Sequence, residues 1–305
     1  MRKINIIGGI TADIEGNPYG QLIMGESNPG KITMSYGGVG RNITENLARL
    51  GAEVGFVSVA GDDFTGRGVL RELSDLGVNV EHINLLEGEN TAIYLSILNI
   101  FGEMELALCN MDVLEKVSSS IVDDAMESLS KSKIIGIDTN LTEDTIVYLI
   151  EKLEGIPLFL DPVSVAKSER VKNLIGKFHT VKPNRKEAEA ITGLSILNED
   201  ELMQAGKWFE EKGVKRIFIT LSGGGVYYKE GSIEGVIRPG QVSIVSATGA
   251  GDAFSAAILD GFVKGMNIEE TAKYGMAAAS VAMESKTPVN PKICVEEVMR
   301  RMKDE

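Results

Sequence analysis

The run Ser246-Ala247-Thr248-Gly249-Ala250-Gly251-Asp252-Ala253-Phe254 places three small residues and then an acid ahead of an apolar pattern. Ala253, Phe254, Ala256, Ala257, Ile258 and Phe262 recur at helical spacing, which predicts a loop entering a buried helix. Without bulky side chains the backbone can approach a ligand closely, and the first N–H groups of a helix have no intrahelical partner. The helix dipole adds roughly half a positive charge at that end. Gly249, Ala250 and Gly251 therefore read as an anion hole, with Asp252 at its mouth ready to take a proton from an attacking hydroxyl. Phosphoryl transfer needs that combination. The competing reading makes Asp252 a helix cap after a glycine-rich turn, and an isolated G-x-G-D favours it.

Strand and helix alternate along most of the chain. Strands are expected at Ile4–Ile7, Val54–Val59, Ile134–Asp138, Leu158–Asp161, Thr180–Lys182 and Arg216–Leu221. Helical patterns at Arg41–Leu50, Gly66–Leu76, Thr142–Leu153, Arg185–Thr192 and Asp200–Lys212 lie between them. The alternation predicts an α/β fold, a mostly parallel sheet covered by helices. Two segments stand apart, near 11–36 and 90–110. Gln21–Met24, Lys31–Met34 and the hairpin pattern from Thr91 to Leu108 predict a small second sheet acting as a lid. No repeat or linker divides the chain, so 1–305 reads as one domain. Ligands of open α/β sheets bind beyond the carboxyl ends of strands, which puts Asp13, Asn140, Asp161, Asn184 and Ser222 on one rim.

The 305 residues are 43% hydrophobic and 25% charged, as in a soluble enzyme with a substantial core. A net charge of −13 argues against nucleic acid or an anionic membrane as partner. A small anionic ligand stays compatible, because local N–H groups and a metal dominate the field at a site. Cys109 and Cys294 form no metal or disulfide pattern, and His82 and His179 are the only histidines. No apolar run reaches the ~18 residues of a membrane span, and the N-terminus is no signal peptide. The expected location is the cytoplasm.

Other motifs carry two readings each. Gly37-Gly38-Val39-Gly40-Arg41-Asn42 precedes a helix, as a backbone floor for a polyol or as a tight turn capped by Asn42. Lys182-Pro183-Asn184-Arg185-Lys186-Glu187 is a capping-box pattern, or two polar groups ordering water around Mg²⁺. Thr220, Ser222, Gly223 and Gly225 belong to a glycine-rich loop for adenosine, or to a hairpin turn. Asp13 is a turn acid or the acceptor of two sugar hydroxyls, and Lys167 a surface lysine or a ligand contact. Asp62-Asp63 reads as solvated, without a role.

Taken together, Gly37-Gly38-Val39-Gly40-Arg41-Asn42, Asn184-x-x-Glu187 and Thr248-Gly249-Ala250-Gly251-Asp252 resemble the ribokinase-like (PfkB-type) carbohydrate kinases, in order and spacing over essentially the whole chain. The resemblance implies a three-layer fold with a β-sheet lid, a homodimer through that lid, and ATP with Mg²⁺. It also implies a monovalent cation such as K⁺ near Ser246 and Thr248, although Ser246 stands where many members have an acid. Met276 falls where some relatives place a polar residue near adenine. Carried over by position, Asp252 is the base and Gly249 to Gly251 the anion hole. Asn184 and Glu187 serve Mg²⁺ and phosphate, with Glu187 acting through water. Thr220, Ser222, Gly223, Gly225 and Thr248 flank the nucleotide, and Asp13, Gly38 and Asn42 hold the sugar. Asn140 and Lys167 are further substrate contacts. Within the family, Gly37 to Leu47, Asn110-Met111-Asp112-Val113-Leu114 and Asp161-Pro162-Val163-Ser164 with Lys167 resemble the pseudouridine kinases. That implies phosphorylation of the pseudouridine 5′-hydroxyl. A ribokinase or inosine–cytidine type of kinase, and a non-catalytic sugar- or nucleoside-binding regulator, stand as alternatives.

Overall fold

In chain order, β1 (Lys3–Ile7) leads into an antiparallel pair, β2 (Thr11–Pro18) and β3 (Gly30–Gly37), and then helix α1 (Val39–Arg49). β4 (Glu53–Gly61), α2 (Phe64–Asp75) and β5 (Ile83–Leu86) follow, then the hairpin β6 (Ala92–Leu98) and β7 (Met104–Asn110). Next come α3 (Ser119–Leu129), β8 (Ile134–Asp138), α4 (Glu143–Lys152), β9 (Leu158–Asp161) and the single turn α5 (Val165–Ser168). β10 (Thr180–Val181), α6 (Arg185–Thr192), α7 (Glu199–Lys212), β11 (Arg216–Leu221), β12 (Gly225–Glu230) and β13 (Ile233–Ile237) complete the sheet. Helices α8 (Ala250–Lys264), α9 (Ile268–Met283) and α10 (Val295–Asp304) close the chain. This computed structural model describes residues 3–221, 225–240 and 244–304.

Nine of these strands form one sheet in the order β13-β12-β11-β10-β9-β8-β1-β4-β5. From β11 to β5 neighbours run parallel, while β12 and β13 are antiparallel at one edge. Parallel strands need both faces covered, and β1 shows how its residues divide between them. Ile4 and Ile6 pack with Ile43 and Leu47 of α1 and with α8, whereas Ile7 joins Val122 of α3 and Ile146 of α4 on the opposite face. Each such side chain contributes roughly 1.5–3 kcal/mol on burial. Helices on both faces of a mostly parallel sheet make the expected three-layer α/β architecture.

The small sheet runs β3-β2-β6-β7. Its register puts Ile14 beside Met34 and Leu95, Gly16 beside Ile32 and Ile97, and Leu95 and Ile97 beside Leu108 and Leu106. Successive side chains alternate faces, so one face is apolar and the other carries Asp13, Ser35, Tyr94 and Cys109. β1 feeds β2 through Gly8 to Ile10, and β3 ends where α1 begins, which ties this sheet to the carboxyl rim of the large one.

Three expectations change. Gln21–Met24 is not a strand; the Asn28 side chain bonds both the N–H and the carbonyl of Ile23 and closes a turn there. Asp13 lies within β2 rather than beyond a strand end, because the chain breaks direction at Gly8 to Ile10 and restarts in the second sheet. Asp63 is not idle: its carboxylate caps α2 at Gly66 N (2.8 Å) and holds Thr91, tying α2 to the start of β6. Its neighbour Asp62 pairs with Arg67.

Candidate active site

Helix α8 starts at Gly249, whose φ of 82° is left-handed. A Cβ there would also lie 1.7 Å from the Pro288 carbonyl oxygen, so only glycine fits. Among the described residues no side chain caps the first turn of α8. The turn therefore presents backbone N–H groups and the positive end of a buried helix to the rim. Asp252 is third in that helix and does not cap it. Its Oδ2 accepts a hydrogen bond from Asn42 Nδ2 of α1 at 2.8 Å. Burial and the nearby Asp161 push its carboxyl up to about 7, against the opposing pull of Asn42 and Lys182. A carboxylate that titrates near neutrality can take a proton and release it again.

Lys182, just beyond β10, is the residue the motifs pass over. Its Nζ lies 2.9 Å from Asp161 Oδ2, and both side chains are buried. A Cβ on Gly251 would sit 3.4 Å from the same Nζ, so the ammonium stands beside the head of α8. Burial pushes this ammonium down, but Asp161, Glu187 and Asp252 outweigh it and hold the group above the ordinary lysine value. A fixed cation thus reinforces the helix end. Asp161 also accepts from Ser255 Oγ at 2.8 Å and from Val163 N at 3.0 Å. The available signal was position: an acid ending β9 and a lysine directly after β10, on adjacent parallel strands.

Asn184 and Glu187 make the full capping box of α6. Asn184 Oδ1 accepts from Glu187 N at 3.0 Å, and the Glu187 carboxylate accepts from Asn184 N (2.8 Å) and Nδ2 (2.7 Å). Burial raises Glu187 above the ordinary carboxylate value, with Lys182 opposing. Asn184 is exposed on the rim and bridges to Thr220, the penultimate residue of β11. Gly225 opens β12 in the hairpin with β11. Ser222 and Gly223 lie outside the described residues. Thr248 is exposed and donates its N–H to Ser246 Oγ at 3.2 Å. Among the described residues no group of three or more His, Cys, Asp or Glu side chains is set to hold a metal.

Beyond Asn42, around the glycine turn that opens α1, stands a wall of polar side chains. Asp13 accepts from Thr11 Oγ1 at 2.7 Å, and its carboxylate fills the space a Cβ on Gly37 would need. Burial raises Asp13 above the usual carboxylate value, with Thr11 and Arg41 opposing. Gly38, at φ 96°, begins α1, so Asn42 is not its cap and is left to reach Asp252. Asp138, fully buried at the end of β8, binds Gly9 N (3.0 Å) and Gly40 N (2.7 Å) through Oδ2 and Asn140 N (2.8 Å) through Oδ1. It fastens the β1 loop, the glycine turn and the β8 loop together, and no sequence motif marks it. Lys167 Nζ donates to Asn140 Oδ1, and Arg170 Nη1 holds the carbonyls of Thr139 and Leu141 behind it. Burial lowers the Lys167 ammonium below the ordinary lysine value.

Asp252, Asn42, Lys182, Asp161 and Glu187 thus converge, with Asn140 and Lys167 on the same rim and Asp13 reaching in from β2 against Gly37. The pfkB family carbohydrate kinase pattern matches residues 1–293. The pseudouridine kinase of Escherichia coli (strain K12) is 34% identical over 295 residues, covering 96% of this chain and 94% of that protein. A carbohydrate kinase from Agrobacterium tumefaciens superposes with a TM-score of 0.85 at 27% identity, covering 99% of this chain and 97% of that one. The ribokinase of Arabidopsis thaliana, solved with ribose and ATP, shares the fold at a TM-score of 0.85 and 21% identity, covering 99% of each chain. The chain belongs to the pfkB family of carbohydrate kinases, phosphotransferases with an alcohol group as acceptor.

Proposed function

We propose that this kinase transfers the γ-phosphoryl group of ATP to the 5′-hydroxyl of pseudouridine, giving pseudouridine 5′-phosphate and ADP. The observation that carries the chemistry is Asp252, held at the uncapped head of α8 beside Lys182 and joined through Asn42 to the polar wall. Asp252 accepts the hydroxyl proton as the new O–P bond forms and the bond to the ADP oxygen breaks. The N–H groups of Gly249 to Gly251 and the Lys182 ammonium stabilise charge on the phosphoryl oxygens, the dominant contribution in such reactions. Asp13, Gly38 and Asn42 orient the ribose, and Asn140 and Lys167 the base end. Thr220, Gly225 and Thr248 line the nucleotide side, and Ser222 and Gly223 are assigned to the same role by sequence position alone.

The sparse donor set fits Mg²⁺, which keeps several waters and takes few protein ligands. Glu187 and Asn184 would hold it through water, and the ion would neutralise phosphate charge. A monovalent cation would lie near Ser246 and Thr248. The small sheet acts as a lid that excludes water as competing acceptor. Its apolar outer face, with Ile32 and Leu108 largely exposed, supports a homodimer through the lid, which light scattering would read as twice 32.9 kDa. Among the described residues no helix is long and apolar enough to cross a membrane. A net charge of −13 disfavours nucleic acid and anionic membranes, and dependence on ATP puts the activity in the cytoplasm.

The acceptor rests on the sequence stretches shared with pseudouridine kinases and on the 34% identical relative. A C-linked uracil leaves N1 as a free N–H, placed where uridine presents an apolar C5–H. A buried acceptor left stranded by the wrong isomer costs about 1–3 kcal/mol. Pseudouridine should therefore exceed uridine, inosine and ribose in kcat/KM by roughly tenfold or more. Preference for ribose or inosine in an ADP-release panel would leave the kinase and remove this acceptor.

A further inference from the structure

We propose that Arg41 is a positioning residue for phosphoryl transfer: it fixes the Asn42 side-chain amide so that only Nδ2 faces Asp252. The inference rests on Asp252 being the base.

Arg41 stands in the first turn of α1 and is 3% exposed. Its Nη1 donates to the Tyr36 carbonyl at 3.1 Å and to Asn42 Oδ1 at 3.0 Å. Its Nη2 is held by the carboxylates of Glu45 and Glu72, and its guanidinium lies over the Tyr36 ring. The group is thereby fixed on four sides before it touches Asn42. The two ends of a primary amide have nearly the same shape, so packing alone does not choose between them. A guanidinium does choose, because it carries donors and no acceptor. With Oδ1 committed to Arg41, Nδ2 points at Asp252 Oδ2.

That orientation matters because the flipped amide would do the opposite job. An N–H donated to a carboxylate favours the ionised acid, the form that accepts a proton. A carbonyl oxygen turned toward Asp252 would repel the carboxylate and accept from the protonated acid. An unfixed Asn42 would therefore follow the proton and stabilise whichever form was present. Other groups around Asp252 leave little margin. Asp161 at the end of β9 and Asp138 at the end of β8 oppose its ionisation, while Lys182 beyond β10 favours it. Arg41 also favours the ionised form of Asp13 across the site. One guanidinium thus serves the base through Asn42 and the sugar-side carboxylate through space.

The test follows the Asp252 carboxyl by ¹³C NMR, assigned by its absence in Asp252→Asn, together with the pH profile of kcat/KM. In Arg41→Met the Asp252 titration and the acid limb of the profile should both move up by about half to one pH unit. That shift is the loss of a hydrogen bond worth about 1 kcal/mol. Activity well above the midpoint should change by less than about threefold, which a group acting only through ionisation predicts. Arg41→Gln, which returns an N–H donor, should recover part of the shift. A merely structural role would lower activity at every pH and leave the titration in place, and that result overturns the proposal. The unaltered protein gives a second reading that needs no variant. Its Asn42 Nδ2 resonances should follow the Asp252 titration as one set, and a second amide set appearing below the midpoint, the mark of a flip, also overturns it. Turnover retained by Asp252→Asn would instead remove the base, while the amide resonances would still report whether Arg41 orients Asn42.

Discussion

Helices α1 and α8 begin alike and end up with different tasks. Each starts at a left-handed glycine, Gly38 or Gly249, with no side-chain cap among the described residues, and both lie on the same face of the sheet. In α1 the first N–H groups are already taken: Gly40 N donates to Asp138 Oδ2 at 2.7 Å and Arg41 N to the Gly9 carbonyl at 3.2 Å. In α8 the corresponding turn has, among the described residues, only a long contact from Ala250 N to the Ala247 carbonyl, and the Lys182 ammonium stands beside it. A helix dipole by itself therefore does not make an anion site. What decides is whether the fold supplies internal acceptors for the first turn. Asp138 does so for α1, turning it into a rigid floor that aims Asn42. At α8 the turn has the Lys182 ammonium beside it and no side-chain acceptor among the described residues, as the proposed anion hole requires.

The largest expected effect comes from Asp252→Asn. Loss of a general base costs roughly 10²–10⁴-fold in kcat, with ATP affinity retained because the head of α8 is untouched. The same variant has an opposite effect on stability. Asp252 titrates near 7 in the folded protein, against 3.8 for an ordinary aspartate carboxyl. Between those values the folded state binds a proton that the unfolded chain does not, so stability falls as pH rises from about 4 to about 7. The amide does not titrate, so the substitution removes that dependence. Melting curves should show the variant stabilised at pH 8, by on the order of 1–3 kcal/mol, and unchanged near pH 4. An equal loss at both pH values would contradict the raised carboxyl.

Next is Lys182→Met, which asks whether α8 needs its cation. Leaving Asp161 buried and unpaired costs about 3–5 kcal/mol in unfolding experiments. Adding Asp161→Asn should return most of that stability, since both charges are then gone. If Lys182 also serves the anion hole, the double variant stays several-fold weaker in KM for ATP. Recovery of both stability and KM would make the pair structural and leave the helix end to work alone.

Contiguous features of the site were readable in advance. Gly249-Ala250-Gly251-Asp252 fits on one turn of chain, and Ile134–Asp138 is a short apolar run ended by an acid, so neither depends on distant partners. Asp138 itself was opaque because its partners, Gly9 and Gly40, lie 129 and 98 positions away and meet it only when β8 pairs with β1. Lys182 was hidden for the same reason: Asp161 becomes its neighbour through the pairing of β9 with β10. Gln21–Met24 misled because alternation cannot register an Asn28 side chain folding back on Ile23. Asn184-x-x-Glu187 shows a different limit. Its capping box is fully formed, and the same geometry leaves the pair beside Lys182, so local structure does not separate a cap from a phosphate site.

The smallest effects should separate the two helices most cleanly. Gly40 and Gly251 occupy the same position, second in α1 and α8. A methyl group on Gly40 would lie 2.9 Å from Gly8 Cα and 3.0 Å from the Asp138 carboxylate, so backbone must shift. Among the described residues a methyl group on Gly251 meets only Lys182 Nζ, at 3.4 Å, close to ordinary contact. Gly251 also carries no left-handed φ, so alanine costs no backbone strain there. Alanine is favoured over glycine within a helix by up to about 1 kcal/mol. Gly40→Ala should therefore lower Tm by several degrees, since overpacking typically costs about 1–3 kcal/mol. Gly251→Ala should keep or slightly raise Tm, while its methyl group stands where phosphate oxygens must approach the N–H groups and lowers kcat/KM for ATP by roughly tenfold. Full activity in a stable Gly251→Ala protein would mean that phosphate never reaches the head of α8, and the distinction between the two helices would lose its chemical meaning.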